Sequence, residues 1–216
     1  MYHLLGVISS LLFLLTWYGL ARQWWEIERR RRQHLPATQS LSVNQFASSY
    51  FGFYANFIFG IAIDPFNHYL VWTRCGALIL LLAILWRIWQ ERRHSRTLWV
   101  TSLASLAFVA GWISMGFRPY PALASMAANG MMLVVTVILV QGTLHQYWVL
   151  NRTGEVGALS ASLFRSILIK DISTLMFGLT MPIVQAWPLL VLNGASVLSR
   201  GMLYLRIRQL QRLKPV

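Results

Sequence analysis

One stretch of this chain is partly repeated in another. GTLHQYWVL at 142–150 matches GLARQWWEI at 19–27, pairing Gly142 with Gly19, Gln146 with Gln23, Tyr147 with Trp24 and Trp148 with Trp25 at an offset of 123. Further on the offset falls to 118, and Leu159, Ser160, Phe164, Ser166, Phe177 and Gly178 pair with Leu41, Ser42, Phe46, Ser48, Phe59 and Gly60. The change of offset is a connecting loop five residues longer in the first copy. A duplication of this size constrains the fold before any single motif does, because both copies must build the same supersecondary unit.

Composition places that unit in a bilayer. Apolar residues make up 56% of the chain and charged residues 12%, with a mean hydropathy of +0.53, against roughly 45–50% and 25% in soluble domains. The net charge of +13 does not point to nucleic acid, because the basic residues fall in short clusters between long uncharged runs. A single cysteine, Cys75, lies within an apolar run and reads as a small packing residue, so neither a disulfide framework nor a CxxC metal site is available.

Seven helices follow from the apolar runs. Residues 1–21 are uncharged and long enough to cross the hydrocarbon core, with Trp17, Tyr18, Trp24 and Trp25 at the end as an interfacial belt. Basic residues follow this run instead of preceding it, which argues against a signal peptide. The remaining helices are expected at 45–63, 69–89, 98–117, 124–148, 161–181 and 185–207, with Pro182, Gln185 and Pro188 interrupting what hydropathy alone would fuse into one long final span. The fourth helix has no repeat partner.

Charge distribution supports the count. With seven helices and an external N-terminus, fifteen of the nineteen basic residues fall on inner segments and only Arg118 on an outer one, while Arg74, Arg165 and Lys170 lie within helices. The expected fold class is therefore an all-α integral membrane protein. Its three parts are a first triple-helix bundle at 1–96, a linker helix at 97–120 and a second bundle at 121–216. An odd number of helices per repeat makes the two bundles parallel, related by an axis along the membrane normal.

The order of elements and motifs resembles the PQ-loop superfamily: SWEET sugar transporters, bacterial SemiSWEETs and cystinosin-like carriers. The resemblance rests on His145 and Gln146 leading to GALS ending at Ser160, on Arg22 and Gln23 leading to Leu41 and Ser42, and on Pro188 to Asn193, PLLVLN, which is similar to the SemiSWEET third-helix segment. It covers nearly the whole chain except the fourth helix. It implies alternating access between two three-helix repeats, with substrate near the midplane. In both copies the motif's proline is replaced, by Arg22 and by His145, and the first helices contain no proline. The proline hinge of the family is thus missing. Gly6, Gly19, Gly130 and Gly142 read first as close-packing positions and second as hinges.

The same resemblance nominates a site. Aligning Arg74 with Asn193 and Arg87 with Arg206 puts arginine where the family keeps one of two pocket asparagines, and the SemiSWEET pocket tryptophan maps onto Asn56 and Thr174. A charge in the membrane should face an aqueous cavity or a partner; the alternative is that Arg74 snorkels outward or pairs with Asp64. Asn56, Arg74, Thr174 and Asn193 make a polar site without aromatic platforms, and a guanidinium there suits a carboxylate or phosphate. A structural reading, hydrogen bonds between helices, stands beside this for Asn56 and Thr174. Asp171, one helical turn from Thr174 on the same face, is a candidate for proton coupling with Lys170 beside it; a plain ion pair with Lys170 or Arg165 is the competing reading.

The function expected is transport of a small polar solute, a sugar or an anionic or amphoteric metabolite such as an amino acid or carboxylate, with or without protons. A KDEL-receptor-like receptor or scaffold on the same fold is the alternative. An enzyme is not expected: the five histidines show no metal-ligand spacing, no HExxH, GxSxG or P-loop occurs, and no cofactor or metal is implied. The partners are the lipid bilayer and the solute, an oligomer is compatible with the sequence, and short loops suggest a bacterial inner membrane with the C-terminus in the cytoplasm.

Overall fold

The structure, a computed structural model, describes residues 1–38, 41, 43–153 and 161–213. Motif residues Ser42, Leu159 and Ser160, with the rest of 154–160, lie outside the described residues. Seven α-helices follow one another: α1 Tyr2–Arg32, α2 Val43–Ala62, α3 His68–Arg92, α4 Ser95–Ser114, α5 Ala122–Thr153, α6 Ala161–Gly178 and α7 Ile183–Leu213, with a 3-10 turn at Met115–Phe117. Among the described residues there is no strand. The fold class is the expected one, an all-helical integral membrane protein.

Helix ends depart from the apolar runs. Helices α1, α5 and α7 all run on into their basic ends, α1 as far as Arg32, because arginine and glutamine are good helix formers and only a cap stops a helix. At the end of α1 the cap is a Schellman turn: Leu35 N–H donates to the Arg30 carbonyl and His34 N–H to that of Arg31, with His34 at φ 55° where glycine is commonest. Four arginines in that last turn oppose the helix dipole. Helix α3 is opened by Asn67, whose side chain accepts from Leu70 N–H at 3.0 Å. The break between α6 and α7 falls at residues 179–182, and Pro188 stays inside α7.

Five helices, α1, α3, α4, α5 and α7, are long and apolar enough to cross a membrane. The second helix of each repeat falls short of that measure for a compositional reason. Helix α2 is rich in Ser, Asn and Tyr, and α6 carries Arg165, Lys170 and Asp171.

The chain forms two compact units, Phe13–Ala128 and Met1–Leu12 with Asn129–Val216. In the first, α2 and α3 pack around Tyr50, Phe57, Ile61, Val71, Leu78, Leu81 and Leu85. Helix α4 is tied on by the Tyr50 hydroxyl donating to the Ala104 carbonyl at 2.7 Å, and Gly111 leaves room for Phe57. Trp17 is not an interfacial ring. It lies against Gly76, where a methyl group would come within 2.0 Å of it, and its indole N–H donates to the Thr73 carbonyl at 2.7 Å.

At the basic end each unit builds the same apolar cluster. In the first, Trp24, Ile27, Phe46, Ile84 and Ile88 come together; in the second, Tyr147, Leu150, Phe164, Leu203 and Ile207 do. These are the residues that the sequence repeat pairs, position for position. The Phe-Gly pairs repeat as well: Gly60 lies against Leu70 and Val71, Gly178 against Leu189 and Leu190.

Beside that cluster in the first unit, Glu91 of α3 accepts from Ala37 and Thr38 N–H at 3.1–3.2 Å, while Arg92 donates to the carbonyls of Thr38 and Leu41. One residue pair thus meets backbone donors of Ala37 and Thr38 and backbone acceptors of Thr38 and Leu41.

Candidate functional site

In the first unit the buried cation is Arg74, 4% exposed on α3. Its guanidinium carbon lies 4.2 Å from the centre of the Phe13 ring, and Nη1 donates to the Thr73 hydroxyl at 2.8 Å. The Thr73 hydroxyl donates in turn to the Tyr69 carbonyl at 2.6 Å. Arg74 is therefore sheathed by aromatic and hydroxyl groups of α1 and α3, a cation–π arrangement that gains strength away from water. Asp64, almost fully exposed, lies 3.8 Å from Arg118. Asn56 is also buried and donates from Nδ2 to the Gly52 carbonyl at 2.9 Å.

The second unit holds Thr174, Asn193, Asp171 and Lys170. Thr174 is buried, donates to the Lys170 carbonyl at 3.0 Å, and its hydroxyl oxygen lies 3.2 Å from that of Ser9. Asn193 repeats the behaviour of Asn56, donating from Nδ2 to the Leu189 carbonyl one turn back at 2.8 Å. Each candidate amide thus spends a donor on its own helix and keeps its carbonyl oxygen for another group.

Asp171 is the most heavily bonded of these residues. Its Oδ2 accepts from the Ser196 hydroxyl at 2.5 Å and from Arg200 Nη1 at 2.8 Å, and its Oδ1 lies 3.2 Å from Lys170 Nζ. The ion pair with Lys170 is present as sequence reasoning anticipated. Ser196 and Arg200 were not anticipated as its partners. Arg165 is exposed, and Arg200 lies within α7 beside the carboxylate. The repeat carried a signal for this pairing: Arg200 stands where the first copy has the buried Leu81.

The motif positions share one pattern. Arg22 and His145 are exposed, Gln23 and Gln146 half-buried, and α1 and α5 run through them as unbroken helices. Among the described residues, nothing lies within 4 Å of where a methyl group would project from Gly19, Gly130 or Gly142. The close-packing reading of these three glycines is therefore not met.

No group of three or more metal-ligating side chains occurs among the described residues. The site is made of buried polar and charged groups inside apolar helices whose outer faces expose residues such as Leu11, Val134 and Leu198. That arrangement defines an integral membrane protein with polar and charged side chains buried among its helices.

The fold is SWEET-like. The chain superposes on the 3.7 Å resolution structure of a eukaryotic SWEET transporter with a TM-score of 0.74, over 98% of this chain and 97% of that one, at 14% sequence identity. No family model matches the sequence, and no curated protein matches it.

Proposed function

We propose that this protein is a carrier of the PQ-loop/SWEET type that moves a small polar solute of anionic or amphoteric character by alternating access of its two three-helix repeats. The observation that carries the proposal is the combination of a SWEET-like fold along nearly the whole chain with buried charges at Arg74 on α3 and Asp171 on α6. A neutral sugar gains nothing from an arginine that costs roughly 2.5–3.5 kcal/mol to insert; a carboxylate does. On this reading Asn56, Arg74, Thr174 and Asn193 contact the solute and Asp171 with Lys170 couples its passage to protons. The repeats are 1–96 and 121–216 with 97–120 as linker. The basic ends of the helices lie in the cytoplasm, with a bacterial inner membrane as the setting.

Uptake into proteoliposomes tests this. Radiolabelled amino acids and dicarboxylates should accumulate faster than in empty vesicles and faster than glucose, and Arg74→Ala should reduce that uptake by about tenfold or more. Binding without flux would make the protein a receptor, and glucose flux indifferent to Arg74→Ala would remove Arg74 from the site.

A further inference from the structure

Helix α7 turns two unlike faces outward and inward. Leu203, Ile207 and Leu210 are buried in the apolar cluster of the second unit. On the opposite side Val191, Leu198, Met202 and Leu205 are exposed, and their helical spacing puts them on one face. At 1.5 Å per residue that stripe rises about 21 Å, more than half of a hydrocarbon core of about 30 Å. It leads into a cavity of about 370 Å³ lined by Tyr204, Leu205, Arg208, Gln209 and Arg212.

The polar groups at this cavity are available. Arg208 and Arg212 are exposed, and among the described residues neither pairs with an acid or makes a hydrogen bond. Arg206 is the arginine that fastens α7: its Nε donates to the Asn151 side chain and its Nη1 to Gln209 Oε1 at 3.3 Å, so the Gln209 amide N–H groups remain as donors. Arg208 and Arg212 lie one turn apart, about 6 Å along the axis, a spacing at which two guanidiniums reach the oxygens of one phosphate.

The first repeat does not copy this face. With Arg87 matched to Arg206, Trp86 and Trp89 stand where the second repeat has Leu205 and Arg208, their rings 4.8 Å apart. Arg93, the counterpart of Arg212, has left the helix at φ 48°. Helix α7 instead runs on to Leu213 and keeps Arg212 on the side of Arg208. Packing of the repeat therefore requires neither arginine. An apolar stripe that ends in paired guanidiniums fits a ligand with a hydrocarbon tail and an anionic head, in that order along the helix.

We propose that this face of α7 is a binding site for an anionic phospholipid. Arg208 and Arg212 clasp the phosphate, Gln209 and the Tyr204 hydroxyl donate to the rest of the headgroup, and an acyl chain lies along Leu205, Met202 and Leu198. A zwitterionic lipid meets the same stripe but sets its own cation against the arginines, so charge complementarity selects the anionic headgroup. Charges that only orient a helix in the membrane are served equally by lysine, whereas a two-point grip on phosphate favours the guanidinium fork. The site goes beyond the carrier reading and is independent of what the protein moves.

The full chain in a neutral maltoside detergent, titrated with dioctanoyl phosphatidylglycerol, dioctanoyl phosphatidylcholine or inorganic phosphate, tests the site by native mass spectrometry and thermal unfolding. Phosphatidylglycerol should bind and raise the Tm; phosphatidylcholine and inorganic phosphate should do neither. The double change Arg208→Gln with Arg212→Gln should weaken phosphatidylglycerol by about tenfold or more, the loss of charge-assisted hydrogen bonds. Arg208→Lys with Arg212→Lys keeps the charge and should still lose affinity severalfold. Arg29→Gln with Arg32→Gln removes the same charge from the basic end of the other repeat and should change nothing. Equal losses in the two glutamine pairs would replace the site by diffuse attraction to a basic surface and overturn it, as would full affinity in the lysine pair. Inorganic phosphate binding as tightly as the lipid would overturn the lipid as occupant. A dimer dispersed by Leu198→Gln with Leu205→Gln, with no response to phosphatidylglycerol, would give the face to a second copy of this chain and equally overturn the proposal.

Discussion

Arg206 donates from Nε to the Asn151 side-chain oxygen at 2.6 Å, and at the corresponding place in the other repeat Arg87 pairs with Glu28 at 3.1 Å. Both arginines also reach a glutamine three residues on, Gln209 and Gln90. The basic end of each repeat is thus fastened by the same arginine between its first and third helices. The partner is a carboxylate in one copy and an amide in the other. Glu28 and Arg87 are about one-fifth to one-quarter exposed, so the ion pair is partly shielded and contributes about 0.5–1 kcal/mol. Glu28→Gln should lower thermal stability by that amount at low salt and by less at high salt. Asn151→Ala should show no comparable salt dependence. A double-mutant cycle between positions 28 and 87 measures the coupling, and a coupling near zero would discard the fastener.

Trp17 and Gly76 make a lock of a different kind. A methyl group at position 76 would sit 2.0 Å from the indole ring, so Gly76→Ala must expel Trp17 and break its 2.7 Å bond to the Thr73 carbonyl. Overpacking of this type costs about 1–3 kcal/mol. The second-site change Trp17→Leu should restore most of the loss in the Gly76→Ala background while destabilising the wild type. Unfolding followed by intrinsic fluorescence distinguishes the two backgrounds, and absence of rescue would mean that Gly76 serves something other than Trp17.

Much of this fold was legible because the repeat is physical as well as textual. Ile27 and Leu150, or Ile84 and Leu203, occupy the same place in two separate apolar clusters, and a hydrophobic position copied at fixed offset can hardly do otherwise. Helix ends were less legible: the span expected to close at residue 21 continues to Arg32, since lipid thickness limits the apolar run and not the helix. The partners of Asp171 were legible only in part. Lys170 is its neighbour in sequence and Arg200 is not. Arg165 failed as a partner for a geometric reason, since six residues turn a helix by about 600° and leave the two side chains about 120° apart. Sequence spacing along one helix says nothing of which residue α7 brings across, and only the mismatch of Arg200 with Leu81 marked it.

Gly19 and Gly142 stand in open space on α1 and α5, three residues before Arg22 and His145. Exposed helix-interior glycine costs about 0.8–1.0 kcal/mol relative to alanine. Gly19→Ala and Gly142→Ala should therefore each raise thermal stability, since no neighbour resists the added methyl. On the proposed carrier reading, if these glycines act as bending points, solute flux should fall in both variants as stability rises. Stability and flux rising together, or flux unchanged, would show that the first helices move without bending there.

Gly60 and Gly178 occupy the same position in the two repeats, yet their surroundings predict opposite outcomes. A methyl group on Gly60 would come to 3.0 Å from Leu70 Cβ, 3.0 Å from Val71 Cγ2 and 3.4 Å from the Val71 backbone nitrogen. Cβ and backbone atoms cannot turn away, so α2 and α3 would have to separate. On Gly178 the nearest atoms are the tips of leucines, Leu190 Cδ2 at 2.9 Å and Leu189 Cδ2 at 3.4 Å, which can change rotamer at about 0.5–1.5 kcal/mol. Alanine also recovers up to about 1 kcal/mol of helix propensity at either site, less at Gly178 because it ends α6. Gly60→Ala should therefore lower stability by about 1–3 kcal/mol net of that gain, and Gly178→Ala should stay within about 1 kcal/mol of wild type. Chemical denaturation of the two variants in the same detergent decides it: equal losses would mean that both interfaces are equally rigid and that the leucine tips at Gly178 have nowhere to go.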